Sequence, residues 1–169
     1  QTCALPICTL PLSWHRQDGK IFSVDYVIKS VSRNGLPEPY SLDRTTKALT
    51  VRIGSADRTL KPGIYHYEIR YQVSNHFSRF HDWDELYWNV TGNDWSWPIG
   101  KARFQLVLPD AAGQLNADGR DARLRTIDVY TGRQGAKDHH AIILPDGSIQ
   151  TSRPLATGEG LTDRKSTRL

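Results

Sequence analysis

The chain has 169 residues, enough for one globular domain with a buried core. Its hydrophobic content is 38% and its mean hydropathy is −0.54, which is typical of a globular and somewhat polar protein. No run approaches the roughly 18–20 apolar residues that a membrane helix needs. The chain as given is therefore predicted neither to span a bilayer nor to carry a secretory signal.

The charge of the chain says little about its partners. The formal net charge is +4 and the pI is 9.2, but no cluster of basic residues forms the positive face that nucleic-acid binding requires. Cys3 and Cys8 are the two cysteines, and both lie in or beside the N-terminal segment. We therefore predict no nucleic-acid partner, no disulfide framework, no metal site and no cofactor.

Both ends of the chain differ from the rest. Residues 1–7 read QTCALPI and residues 163–169 read DRKSTRL, and both resemble translated sequencing-adapter read-through. A natural disordered tail at each end is the alternative. We predict a non-native or disordered segment at 1–13, a single domain at 14–162, and a non-native tail at 163–169.

Alternation of apolar and polar residues dominates the segments between the turns. This period of two is typical of strands with one buried face. It is clearest in IYHYEIRYQV, where every second residue from Tyr65 to Val73 is apolar or aromatic. Strands are predicted at 20–33, 47–53, 64–73, 85–90, 101–108, 124–130, 139–144 and 148–152, with a last one beginning near 161.

Turn signals separate these strands. Asn34-Gly35 and Lys61-Pro62-Gly63 are typical turn sequences, and Pro145-Asp146-Gly147 predicts a hairpin between the two strands that flank it. No segment shows a convincing helical period. About seven or eight short strands at regular spacing predict an all-β fold, an antiparallel β-sandwich of the immunoglobulin-like kind.

The stretch from Asp82 to Pro98, DWDELYWNVTGNDWSWP, is the main candidate for a functional site. Trp88 lies mid-strand and is predicted to be a core ring. The other tryptophans of the stretch, Trp83, Trp95 and Trp97, lie in predicted loops, where burial and exposure are equally expected. Exposed together on adjoining loops, they would form a binding patch.

Several chemistries fit this stretch. Aromatic faces flanked by carboxylates and amides suit carbohydrate recognition. Calcium prefers such oxygen ligands, but the spacing matches no EF-hand loop. Glycoside hydrolysis needs two carboxylates on facing positions at a defined separation. The predicted ligand-binding residues are Trp83, Asp84, Glu85, Asn93, Asp94, Trp95 and Trp97, and no catalytic residue is predicted.

Motifs along residues 14–162 resemble a known family. They include RNGLPEPY at 33–40, VRIG at 51–54, DELYWNVTGN at 84–93 and YTG at 130–132. Together they resemble the N-terminal domain of a family of bacterial predicted membrane proteins, a domain of unknown function (DUF2207). The DELYWNVTGN block is the most specific, because it is long and rich in rare residue types.

The resemblance implies an architecture rather than an activity. It implies a signal peptide, an extracytoplasmic β domain and transmembrane helices, so the full-length protein is expected at the cell membrane with this domain periplasmic or extracellular. Our first interpretation is a non-catalytic domain that binds an envelope ligand or a protein. The alternatives are a carbohydrate-active envelope enzyme using Asp84, Glu85 or Asp94, and a structural domain that packs on its own membrane helices.

Overall fold

The computed structural model of the chain describes residues 7–15, 19–109, 121 and 123–167. The contacts divide the chain into two units, Gln1–His76 and Phe77–Leu169, where the sequence analysis predicted one domain over 14–162. Predictions for residues 1–6, for 168–169 and for most of the loop at 109–123 lie outside the described residues. The first and second unit are called unit 1 and unit 2 below.

Unit 1 consists of short antiparallel strands. They form the sheets β1-β7-β6 and β5-β4-β8 and the pair β2-β3. Their buried apolar residues come from three strands and from two positions beside strands: Leu10, Leu12, Val24, Tyr26, Val31, Leu49, Val51 and Ile53. The strands are β1 (Ile7–Pro11), β2 (Ser13–His15), β3 (Ile21–Ser23), β4 (Asp25–Arg33), β5 (Leu36–Pro37), β6 (Tyr40–Arg44), β7 (Ala48–Ile53) and β8 (Tyr67–Ser74).

A bulge in β4 explains why the buried residues shift from even-numbered to odd-numbered positions along the strand. Tyr26 is buried at the start of the strand, but Val31 is buried towards its end. The pairing of β4 with β8 shifts register between Ile28 and Ser30. An extra residue in one strand reverses the alternation beyond it, so the simple period of two fails there.

Strand pairing reaches into both segments that the sequence analysis set apart. In β1, Ile7 to Pro11 pair with β7, and Leu10 is buried. At the other end, the last strand runs to residue 167. Whether these residues are native remains a prediction, but in this structure they belong to sheets.

Unit 2 has a four-stranded sheet, β12-β15-β10-β9, and a three-stranded sheet, β11-β14-β13. Its core draws on both, because Val129 and Leu161 of the first pack with Ile149 of the second, together with Ala102 and Leu155. The strands are β9 (Phe77–Arg79), β10 (Asp84–Asn89), β11 (Arg103–Phe104), β12 (Leu124–Gly132), β13 (Ala141–Ile143), β14 (Ile149–Thr151) and β15 (Gly160–Thr167).

The all-β class is confirmed, and the described residues form strands, turns and irregular segments but no helix. No helix in that part of the chain could therefore cross a membrane. The predicted hairpin is present as β13 and β14, with Gly147 at a φ of 74°, which favours glycine. The sandwich is consistent with the packing of two sheets in unit 2, and the immunoglobulin-like arrangement stays a prediction.

Some strands differ from the prediction. The segment 101–108 keeps its alternation of burial, but only Arg103 and Phe104 pair in a ladder. β6 was not predicted. Its alternation is limited to Tyr40 and Leu42, and all five of its residues are exposed in the structure. β9 lies where a loop was predicted, and it is only three residues long.

Candidate functional site

The predicted site residues lie at opposite ends of β10. Trp83 and Asp84 are at its start, whereas the loop with Trp95 and Trp97 follows its end at Asn89. A strand rises about 3.3 Å per residue, so the strand alone spans roughly 17 Å between its ends. The tryptophans that were predicted to form one patch therefore lie in two separate regions.

The Trp83 region has a half-exposed ring held in a fixed orientation. Trp83 is 41% exposed, and its ring stacks on Phe80 with centroids 4.9 Å apart and planes at 22°. The backbone of Phe80 also donates a hydrogen bond to the carbonyl of Trp83, at 2.9 Å. A ring supported in this way loses little conformational entropy when a ligand stacks on it.

Beside this ring, the outer face of the four-stranded sheet carries a charged group. The outer face is the one that bears Glu85, Arg164 and Asp128. Arg164 donates from Nε to Glu85 Oε2 at 2.8 Å, and its Nη1 lies 3.7 Å from Asp128 Oδ2. The hydrogen bond to Glu85 is the largest cause of a raised pKa at Arg164. One guanidinium therefore lies between two carboxylates.

The ring and the charged group line one open cleft of 290 Å³. Ligand pockets usually range from about 300 to 1,000 Å³, so this cleft suits a small ligand or one unit of a longer one. We call it the Trp83 cleft. Its lining residues are Trp83, Glu85, Thr126, Asp128, Arg164 and Ser166.

The second region is a loop in which some predicted site residues maintain structure. Asn93 Nδ2 donates to the carbonyls of Gly132 at 2.9 Å and Gly158 at 3.4 Å. Trp95 Nε1 donates to the carbonyl of Thr91 at 2.5 Å, which ties the ring back onto its own loop. Trp97 is 71% exposed. Asn93 is thus better explained as a residue that stabilises the loop through hydrogen bonds than as a ligand-binding group.

The three predicted acids do not converge. Asp84 and Glu85 are successive residues of one strand, so their side chains point to opposite faces. Asp94 follows the other end of that strand and is exposed. The geometry gives no support to a pair formed from these acids for glycoside hydrolysis. In the described part of the chain, no group of three or more His, Cys, Asp or Glu could hold a metal ion.

The inner face of the same sheet holds a buried ion pair. Lys165 Nζ lies 2.8 Å from Asp163 Oδ2, and both side chains are almost inaccessible. Lys165 Nζ also lies 4.7 Å from the centroid of the Phe104 ring. Burial raises the pKa of Asp163 to about 6 and lowers the pKa of Lys165, whereas each partner opposes the other's shift.

Asp128 and Arg164 were not predicted from the sequence as site residues. Asp128 lies between Ile127 and Val129 in a predicted strand, so it looked like an ordinary solvated position, and Arg164 lay in the predicted non-native tail. The signal that could have found them is alternation along β12 and β15, which puts both on the outer face opposite each other.

The N-terminal domain of the predicted membrane protein family DUF2207 matches residues 9–164. The chain belongs to this family. The match starts before the predicted domain start at 14 and includes Arg164 of the predicted tail. The resemblance drawn from the DELYWNVTGN block is thus confirmed.

The chain is also similar to the Escherichia coli (strain K12) protein named "Uncharacterized protein YciQ". It is 39% identical to the chain over 146 residues, which cover 86% of the chain and 22% of YciQ. The chain therefore spans about a fifth of the length of that relative. No solved structure matches the chain.

Proposed function

We propose that the chain is a non-catalytic interaction domain, exposed outside the cytoplasm, of a membrane protein of the DUF2207 family. It binds a ligand of the cell envelope, and the Trp83 cleft is where that ligand binds. The observation that supports the binding role is the supported, half-exposed Trp83 ring beside the Glu85–Arg164 pair. Such combinations of an aromatic face with directed polar groups are typical of ligand sites.

Two features favour binding over catalysis. The Glu85 carboxyl group accepts a hydrogen bond from Arg164 at 2.8 Å, so it is already engaged by a guanidinium. The carboxylates named as catalytic candidates lie on opposite faces or at opposite ends of β10. The architecture that the family resemblance implies supports the proposed location outside the cytoplasm.

The binding role is tested with isolated bacterial cell-wall polymer and, separately, with vesicles of bacterial lipid. We expect the chain to co-sediment with one of them, Trp83→Ala to abolish this, and Trp97→Ala to leave it unchanged. Trp97→Ala is the matched control, because it removes the same side chain at the other end of β10. Equal retention of both variants, or no retention of the native chain, would reject the cleft as the site.

The location is tested on the full-length protein. Alkaline phosphatase, which is active only outside the cytoplasm, is fused directly after residue 167, where β15 ends. We expect high phosphatase activity in intact cells, whereas green fluorescent protein at the same position stays dark after export through the general secretory route. The reverse pattern would place the domain in the cytoplasm and exclude an envelope ligand.

A further inference from the structure

We infer that the ligand of the Trp83 cleft is a neutral oligosaccharide that lies along the outer face of the four-stranded sheet. This inference rests on the proposed function and narrows it to one class of ligand. It also adds Tyr87 and Tyr130 to the binding surface, because these rings border the charged group on the side away from Trp83.

The charge balance of the cleft favours a neutral ligand. Its charged residues are Glu85, Asp128 and Arg164, so a single negative charge remains after the guanidinium is compensated. An anionic ligand would compete with two carboxylates for Arg164. Both carboxylates already lie beside Arg164, which weakens the attraction of either for a cationic ligand. A sugar hydroxyl both donates and accepts, so it can bond to a carboxylate and to the guanidinium without disturbing their pairing.

Hydroxyl groups extend this polar surface. Ser166 lies directly opposite Glu85 in the pairing of β10 with β15, and Thr126 lies opposite Ser166 in the pairing with β12. Side chains directly opposite on one face have Cβ atoms about 4.5–5.5 Å apart. The cleft thus offers donors and acceptors from three adjacent strands at a spacing that can contact several hydroxyls of one sugar ring.

Aromatic rings continue along the face beyond Arg164. Tyr87 lies directly opposite Arg164, and Tyr130 lies near enough to Arg164 to contribute to its raised pKa. Tyr87 is 46% exposed, and burial together with the nearby Tyr130 raises its pKa, whereas Arg164 opposes the rise. Trp83 and Tyr87 are four residues apart, or roughly 13 Å along the strand. Rings at this separation match a ligand of more than one sugar unit.

The test is a titration of the isotope-labelled chain followed by NMR. The probes are cellotetraose, maltotetraose and chitotetraose, their monosaccharides, inorganic phosphate and tetramethylammonium. We expect one tetrasaccharide to shift the resonances of Trp83 and Tyr87 saturably and to bind at least about tenfold more tightly than its monosaccharide, a difference of about 1.4 kcal/mol.

Variants separate the two parts of the surface. Tyr87→Ala removes one stacking ring, so we expect tetrasaccharide affinity to fall several-fold, up to about tenfold, and the advantage over the monosaccharide to shrink. Trp83→Ala abolishes binding, Trp83→Phe restores part of it, and Trp97→Ala changes nothing. The partial rescue by phenylalanine excludes simple misfolding as the cause of the loss.

The outcomes distinguish the inference from the proposed function. No shift of the cleft resonances with any saccharide would overturn the oligosaccharide assignment. If the cell-wall polymer or lipid vesicles still bound in a Trp83-dependent way, or if phosphate or tetramethylammonium shifted the cleft resonances, the binding role would stand with another ligand class. Absence of binding in every assay would reject both. Equal affinity for tetrasaccharide and monosaccharide would reject the extended surface.

Discussion

The two faces of the sheet formed by β9, β10, β15 and β12 differ in how far their charged residues are exposed to water. Asp163 and Lys165 of β15 point inward and are fully buried, whereas Arg164 between them points outward beside Glu85 and Asp128. On the inner face the charges are removed from water, and Asp163 Oδ1 has no hydrogen-bond partner among the described residues. On the outer face the charges remain available to a ligand.

This difference decides what each ion pair can do. Desolvation of two charges costs several kcal/mol, and the attraction within the pair offsets this cost only when the remaining polar atoms are satisfied. The inner pair does not meet that condition, so we expect its main effect to be on stability. The outer pair is only partly buried, with side-chain exposures of 36% for Arg164 and 13% for Glu85. We therefore expect it to contribute less to stability than the inner pair, and its exposed part can take part in recognition.

The largest expected effect is on the inner face. Lys165→Met leaves Asp163 buried without its partner, and we expect the free energy of unfolding to fall by about 3–5 kcal/mol. Urea denaturation measures this loss. The double variant Asp163→Leu with Lys165→Met removes both charges, and we expect it to match or exceed the native stability. A single variant within 1 kcal/mol of the native chain would show that the inner pair is not an ionic unit.

The inner pair also predicts a particular pH dependence. The folded pKa of Asp163 is about 6, above its ordinary value of 3.8, so its stabilising contribution is present at acid pH and lost as the pH rises through about 6. The folded pKa of Lys165 lies below 10.5, so its contribution is lost as the pH falls through that lowered value. Stability relative to the double variant is therefore lowest near neutral pH, by on the order of 2–3 kcal/mol.

Thermal unfolding of the native chain and of the double variant, measured from pH 4 to pH 10, checks this shape. The difference between the two removes the titration of all other groups. A difference in stability that stays flat with pH would contradict the assigned shifts.

A smaller effect is expected at the far end of β10. Asn93→Ala removes hydrogen bonds to the carbonyls of Gly132 and Gly158, so we expect a loss of about 1–2 kcal/mol in the free energy of unfolding. Asp94→Ala, at the exposed neighbouring position, is the control and should change stability by less than about 0.5 kcal/mol. Loss of ligand binding in Asn93→Ala without loss of stability would show that Asn93 is part of the binding site.

The sequence predicted those parts of the fold in which apolar residues mark the buried face. β7 and β10 were predicted almost to the residue, because Val51, Ile53 and Leu86 alternate with polar neighbours. The inner face of β15 could not be predicted in this way, because Asp163 and Lys165 are charged and their burial depends on pairing. Hydrophobic periodicity contains no information about a buried ion pair.

The candidate site was only partly predictable for a related reason. Trp83 and Glu85 are close in the sequence and were named together, but Arg164 and Asp128 join them only through strand pairing. The order of strands in a sheet is not encoded in local alternation. Trp95 was grouped with Trp83 because the two are near in sequence, although a whole strand lies between them.

The smallest effect on stability is expected on the outer face, and it gives the sharpest contrast with the inner one. Glu85→Gln keeps the shape of the side chain but removes the charge that faces Arg164. Because that pair is partly solvated, we expect a loss below about 1 kcal/mol in the free energy of unfolding, measured by urea denaturation.

The same variant should weaken oligosaccharide binding several-fold, since a hydrogen bond to a charged group contributes about 1.5–3 kcal/mol whereas one to a neutral group contributes less. Asp94→Asn, which neutralises an exposed carboxylate beyond the other end of β10, should alter neither quantity. A loss of 3 kcal/mol or more in Glu85→Gln would mean that the outer pair is a structural unit like the inner one, and the two faces would then not differ in role.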